Sequence, residues 1–261
     1  MQAGLCEALV SEFGERVAVL RYDVDNVLNV YKPSTYNKLV KISNLAIEIA
    51  MLSTTKFRFL FPLYENHLSE LIDIEKEYNA HGTFFFRIIT LPTSKILNII
   101  RSQGDEIGYH SDRNESFETW YEDLIKMEKN LGIKVLGYTK HGMSRVRSGG
   151  TWDEKKFIAF AKLANLKYFA QGAGHPGWEL PRRVKGVWVF GHHITLKHAS
   201  WNDVVKYVKG RCLPMLLVHP EDLGIPGVKE KLEYVLSQRR GVEVIRVVKT
   251  LERLTAELQA R

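Results

Sequence analysis

The chain has 261 residues, of which 45% are hydrophobic and 26% charged, with a formal net charge of +7 and a pI near 9.2. These proportions exclude disordered and fibrous classes, and no apolar run reaches the roughly 20 residues needed to cross a bilayer. Lys and Arg are dispersed, the densest short clusters being the pairs Arg182-Arg183 and Arg239-Arg240, so the basic balance reads as a solvated surface and not as a nucleic-acid footprint.

The segment up to Leu20 carries acidic residues where a signal peptide needs positive charge and an unbroken apolar run. The first strand-like run is Val17 to Tyr22. A helical pattern follows over Tyr36 to Leu52, then an aromatic loop, Phe57 to His67, read as a cover or a subunit contact. Further strand-like runs are Thr83 to Ile89, Glu106 to Tyr109, Val135 to Tyr138, Tyr168 to Ala170, Val187 to Phe190, Met215 to Val218 and Val242 to Val247. They are short, rich in β-branched or aromatic residues, and bounded by Gly, Pro or polar residues, as strands buried on both faces are. Between them, helical spacing covers His67 to Tyr78, Ser94 to Ser102, Ser116 to Asn130, Asp153 to Ala164, Trp201 to Lys209 and Val228 to Gln238. Thr151 or Asp153, and Ser200 or Asn202, offer N-caps, and Gly132 a C-terminal stop.

Strand–helix alternation of this kind implies parallel strands joined by crossover helices. Seven or eight such units predict an α/β fold of barrel size, as one domain over residues 1–261. The competing open sheet lacks a glycine-rich phosphate loop. The two cysteines, Cys6 and Cys212, are far apart and form no CxxC pair, so no disulfide is expected and the reading is a soluble, cytoplasmic protein. Oligomeric state is not legible.

Several strand candidates end in residues that bind metals or move protons. RYDVDN presents Asp23 and Asp25, which strand alternation sends to one side. GDEIGYHSDRNE presents His110, then Asp112, Asn114 and Glu115. YTKHG presents His141, and MLLVHPEDLG presents His219. In a parallel barrel such strand ends converge on one rim, where active sites form. D-x-D alone is as readily a loop or a helix cap, and a lone strand-end histidine is more often structural. It is their shared position that favours a metal site, carboxylate and imidazole with open positions for water. Adjacent His192 and His193 face opposite ways in a strand and cannot chelate together. Trp178 reads equally as a cleft wall or a packing residue.

From Val17 to Leu223 these segments resemble the polysaccharide deacetylase (NodB-homology) family. RYDVDN resembles its D-x-D motif, HGTFFF its A-T-F-F strand, GDEIGYHSDRNE its E-I-G-x-H-[ST] segment and MLLVHPEDLG its late L-x-H motif. The resemblance implies an irregular TIM-like (β/α) barrel of about seven parallel strands. It also implies a metal-dependent hydrolase that removes acetyl or acyl groups from an N-acetylated carbohydrate or small amide. Water activated at the metal would attack the carbonyl. It casts Asp23 as general base, His219 as acid, and Asp25 and His110 as ligands of a divalent cation, zinc foremost, with cobalt, manganese or nickel as alternatives. Asn114 stands where the family has a second histidine, which suits a harder cation. Asp112 or Glu115 would be substitutes. His141 stands where the family has a different motif, and reads as a replacement ligand, an oxyanion donor or a loop residue. The altered motifs leave one alternative, a degenerate barrel that binds a glycan or a partner protein without hydrolysis.

Overall fold

The computed structural model describes residues 2–25, 65–141, 153–172, 180–191 and 193–259. The expected helix Tyr36 to Leu52, most of the aromatic loop, Thr151, Trp178 and His192 lie outside the described residues.

The strands are β1 Val17–Val24, β2 Thr83–Phe86, β3 Glu106–Ser111, β4 Gly137–Lys140, β5 Tyr168–Gly172, β6 Arg182–Val184, β7 Val187–Gly191, β8 His193–Thr195, β9 Met215–Val218 and β10 Arg240–Val242. Nine of them form one path, β6-β7-β5-β4-β3-β2-β1-β9-β8, in which each pairing is parallel except β6 with β7. β10 pairs with the start of β1 (Val17 to Val19), while β2 pairs with its end (Arg21 to Val24). Since β9 covers Val19 to Tyr22 on the other edge, β10 and β2 share one edge of β1 in tandem. The path ends at β6 and β8, and β7, next to its β6 end, is one residue from β8 in sequence, so the sheet curls into an incomplete barrel.

The seven expected parallel strands are therefore present as β1, β2, β3, β4, β5, β7 and β9, with the antiparallel β6 and short β8 added. One expectation is corrected. Val242 to Val247 is not a strand: β10 stops at Val242 and a helix, Val244–Gln259, begins. Its valines sit on a helical face, with Val244, Val247, Val248 and Leu251 all fully buried.

The crossover helices lie where helical spacing placed them: Glu65–Glu77, Ser94–Gln103, Phe117–Leu131, Glu154–Leu163, Trp201–Gly210 and Val228–Gln238. Their ends obey capping chemistry. Asp153 Oδ1 accepts from Lys156 N at 3.2 Å, and Ser200 Oγ accepts from Asp203 N at 3.2 Å. Gly132, at φ 60°, supplies the left-handed stop after Leu131.

Strand alternation divides the core in two. Ala18, Leu20, Tyr22 and Val24 of β1, with Phe84, Phe86, Tyr109, Tyr138, Leu216 and Val218, pack outward on the helices. Val17, Val19, Phe85, Tyr168, Ala170, Trp188, Phe190 and Met215 pack inward. The inner core closes against a helix at Gln2–Phe13, through Leu9, and against Val244–Gln259. Gly108 is required by this packing: a Cβ there would sit 2.4 Å from the Phe85 ring. Glu106 forms part of the floor. Its carboxylate accepts from Tyr168 Oη (2.7 Å), Thr83 Oγ1 (2.8 Å) and the backbone N of Ile245 (2.9 Å), while Thr83 Oγ1 also accepts from Val244 N (2.9 Å). Two strand-start residues thus cap the last helix.

The cysteine expectation is also corrected. Cys6, in the first helix, is disulfide-bonded to Cys212, just before β9, across a separation of 206 residues. The fold brings together what the sequence holds far apart.

Candidate metal centre

The inward phase of each strand, followed to its C-terminal end, builds the site. On β1 it passes through Val17, Val19, Arg21 and Asp23 to Asp25. On β2 it reaches Arg87, on β3 His110 and then Asp112, on β4 Thr139 and His141, and on β9 His219. Among the described histidines, cysteines, aspartates and glutamates, one set of three brings its ligand atoms within 4.8 Å of one another: Asp25, His110 and His141.

Asp25 Oδ1 lies 2.7 Å from His110 Nε2, and Asp25 Oδ2 lies 3.7 Å from His141 Nε2 and 3.3 Å from His219 Nε2. Asp25 Oδ1 and His110 Nε2 are both buried and, apart from facing each other, neither has a hydrogen-bond partner. Two ligand-type atoms this close and this isolated fit a cation, since unsatisfied buried polar atoms are otherwise costly. The remaining ring nitrogens are engaged. His110 Nδ1 is 2.5 Å from Thr139 Oγ1, and His141 Nδ1 is 2.9 Å from Asp112 Oδ1. Hydrogen-bonded outer nitrogens of this kind orient metal-ligating histidines.

Burial opposes ionisation of Asp25, but His141, His110 and His219 outweigh it and hold the carboxyl well below the usual range. Asp112 behaves likewise: burial raises it, while His141 and Arg87 bring it down to about 2. Asp23 is buried beside Arg21, which donates from Nε to Asp23 Oδ1 at 2.8 Å and from its other arm to Oδ2, and also reaches the Ala170 carbonyl (2.8 Å). Here too burial raises the carboxyl, but Arg21 and then His110 dominate and lower it. His219 Nδ1 is 2.9 Å from Asp222 Oδ2, and Lys197 Nζ is 3.1 Å from Asp222 Oδ1. Burial disfavours its cation, yet Asp25 and Asp222 push His219 up to about 10.

Of the expected residues, Asp23, Asp25, His110, His141, His219 and Asp112 meet at this rim. Asn114 is engaged in its own turn. Its Oδ1 accepts from the Ser111 hydroxyl and its Nδ2 donates to the carbonyls of Ser111 (3.2 Å) and Asp112 (3.1 Å), so the amide is consumed in shaping the turn after β3. Glu115 is exposed and outside the cluster, its carbonyl taken by Lys156 Nζ at 2.9 Å. Sequence reasoning missed Arg21, Arg87, Thr139, Lys197 and Asp222. Four of these five had a readable signal: Arg21 and Thr139 lie two residues before Asp23 and His141 on inward positions, Arg87 continues the β2 phase, and Asp222 follows His219 at capping-box spacing.

No family model matches the sequence, and no curated protein matches it. Solved structures do resemble the fold. A putative polysaccharide deacetylase from Mycobacterium smegmatis superposes with a TM-score of 0.58 at 15% identity, covering 92% of each chain. Puue allantoinase superposes with a TM-score of 0.55 at 11% identity, covering 90% of this chain and 88% of that one. What the chain shares with both is architecture: its fold is a barrel of the polysaccharide deacetylase type.

Proposed function

We propose that the chain is a metal-dependent hydrolase that removes acetyl or acyl groups from an N-acetylated carbohydrate or a related small amide. The observation that carries this reading is the convergence of Asp25, His110 and His141 at the barrel rim, where Asp25 Oδ1 and His110 Nε2 lie buried 2.7 Å apart with no other hydrogen-bond partner. Asp25, His110 and His141 would hold a divalent cation. Their two imidazoles and one carboxylate match zinc, and leave cobalt, manganese or nickel as substitutes. When bound, such a cation supplies Lewis acidity to water and to an acyl carbonyl.

The other residues have separate tasks. Asp23, kept ionised by Arg21, accepts a proton from attacking water as general base. His219, paired with Asp222 on its far nitrogen, donates to the departing nitrogen as general acid. Asp222 and Lys197 behind it fix the imidazole and restore charge balance. The two carboxylates on one strand thus divide the labour, because only one is paired with an arginine.

The name of the polysaccharide deacetylase neighbour supports a glycan substrate, and that of the allantoinase neighbour supplies a second substrate to assay. The Cys6–Cys212 bridge favours an oxidising compartment over the cytoplasm for this protein. The test is acetate release from N-acetylglucosamine oligomers, in parallel with allantoin hydrolysis, with zinc or cobalt added. Activity lost on chelation, and lost in Asp23→Asn while the cation is still bound, supports the proposal. Cation binding without turnover of any acyl amide would favour a non-hydrolytic glycan-binding barrel.

A further inference from the structure

Arg87 follows β2 and belongs to none of the motif segments, yet only 6% of it is exposed. Its Nε lies 2.8 and 2.9 Å from the two Asp112 oxygens, and one terminal nitrogen lies 2.5 Å from the Asp25 carbonyl oxygen. Asp112 in turn contacts His141 Nδ1 at 2.9 Å. The turn that carries Arg87 is itself anchored: Thr90 Oγ1 donates to the Val24 carbonyl at 2.6 Å and accepts from Arg87 N at 3.0 Å. One guanidinium therefore grips the main chain of one candidate ligand and, through a carboxylate, the ring of another.

We propose that Arg87 is a positioning residue for the metal centre, setting cation affinity without touching the cation. The inference rests on the metal-centre reading above. A planar guanidinium can hold a carboxylate and a carbonyl at once, in fixed directions, whereas a lysine ammonium presents a single point of charge. Asp25 and His141 come from β1 and β4, strands that are not neighbours in the sheet. The Arg87–Asp112 link is a direct polar connection between them, made from the strands in between.

The test is Zn2+ affinity by competition calorimetry, with the Co2+ absorption spectrum as a second readout. It compares wild type, Arg87→Gln, Arg87→Lys, Asp112→Asn and the double variant Arg87→Gln/Asp112→Asn, each checked for folding without metal. Arg87→Gln and Asp112→Asn are each expected to weaken Zn2+ about 10–100-fold and to shift the Co2+ bands. Lysine is expected not to restore affinity, and the double variant to lose clearly less than the product of the two single losses, because the Arg87–Asp112 arm is common to both. Wild-type affinity in folded Arg87→Gln, or losses that multiply in the double variant, overturns the inference while leaving the metal site standing. If Arg87→Gln does not fold, Asp112→Asn decides alone. Absence of Zn2+ binding by wild type overturns the underlying metal reading as well.

Discussion

His110 and Thr139 are register partners on adjacent parallel strands, and the imidazole Nδ1 lies 2.5 Å from the threonine hydroxyl. That contact commits one ring nitrogen to the barrel wall and turns the other toward Asp25. Thr139→Val removes the hydroxyl at nearly constant volume. The variant is expected to fold and to bind Zn2+ about tenfold more weakly. Unchanged affinity, measured by the same competition calorimetry, would show that packing alone orients His110.

The Arg21–Asp23 pair is almost wholly inaccessible, at 1% and 4% side-chain exposure. Removing one partner leaves a buried charge uncompensated, which costs about 3–5 kcal/mol. Arg21→Met is therefore expected to lower the urea midpoint strongly, and Arg21→Met/Asp23→Leu to recover much of the loss. Because the native Asp23 pKa lies below its unfolded value, the pair stabilises above the unfolded pKa and the benefit disappears as pH falls through the folded one. A double variant no more stable than Arg21→Met would contradict this.

Glu106 carries the opposite sign. Burial raises its pKa from about 4.5 to about 7, against hydrogen bonds from Tyr168, Ile245 N and Thr83 that lower it. The native state then holds a proton that the unfolded chain releases, so this group's contribution falls as pH rises from 4.5 through 7. The amount is no more than about 3 kcal/mol. Glu106→Gln keeps the neutral form's hydrogen bonds if its amide nitrogen faces Tyr168. Unfolding free energies at pH 5 and pH 8 should differ less in the variant than in wild type. Equal pH dependence in the two proteins would remove Glu106 from the account.

The Cys6–Cys212 bridge ties the first helix to the chain just before β9, across a loop long enough that cross-linking restricts the unfolded ensemble strongly. Cys6→Ser/Cys212→Ser, or reduction of the wild type, is expected to cost about 2–5 kcal/mol in denaturant unfolding. Zn2+ affinity should not change, because the bridge lies at the strand starts and the candidate ligands at the strand ends. An identical unfolding midpoint with and without reductant would argue against a bridge.

Much of this was legible as period-two phase. Once Val17 and Val19 face inward, Asp23 and Asp25 must follow, and the same phase on β3, β4 and β9 delivers His110, His141 and His219. Asn114 is singled out by its spacing from His110 along the chain, whereas its side chain is shaped by the turn. After Ser111 the strand ends, so Asn114 answers to its local turn. His141 was visible as the polar end of the YTKHG strand, and cross-strand register brings it to His110, its backbone N donating to the Ser111 carbonyl at 2.8 Å. Val242 to Val247 misled because a valine-rich helix face and a buried strand look alike over six residues. Pairing of Cys6 with Cys212 depends on tertiary proximity, which no local pattern encodes.

Zinc stoichiometry and affinity of the purified protein, measured for wild type, Asp25→Ala, His110→Ala, His141→Ala and Asn114→Ala, decide whether Asp25, His110 and His141 form a metal centre. One Zn2+ per wild-type chain is expected, with binding abolished or sharply weakened in the first three variants. Asn114→Ala should retain it more nearly, subject to the local turn it supports. Wild type that takes up no divalent cation, or His141→Ala that binds as wild type does, would contradict the assignment of Asp25, His110 and His141 as a metal centre.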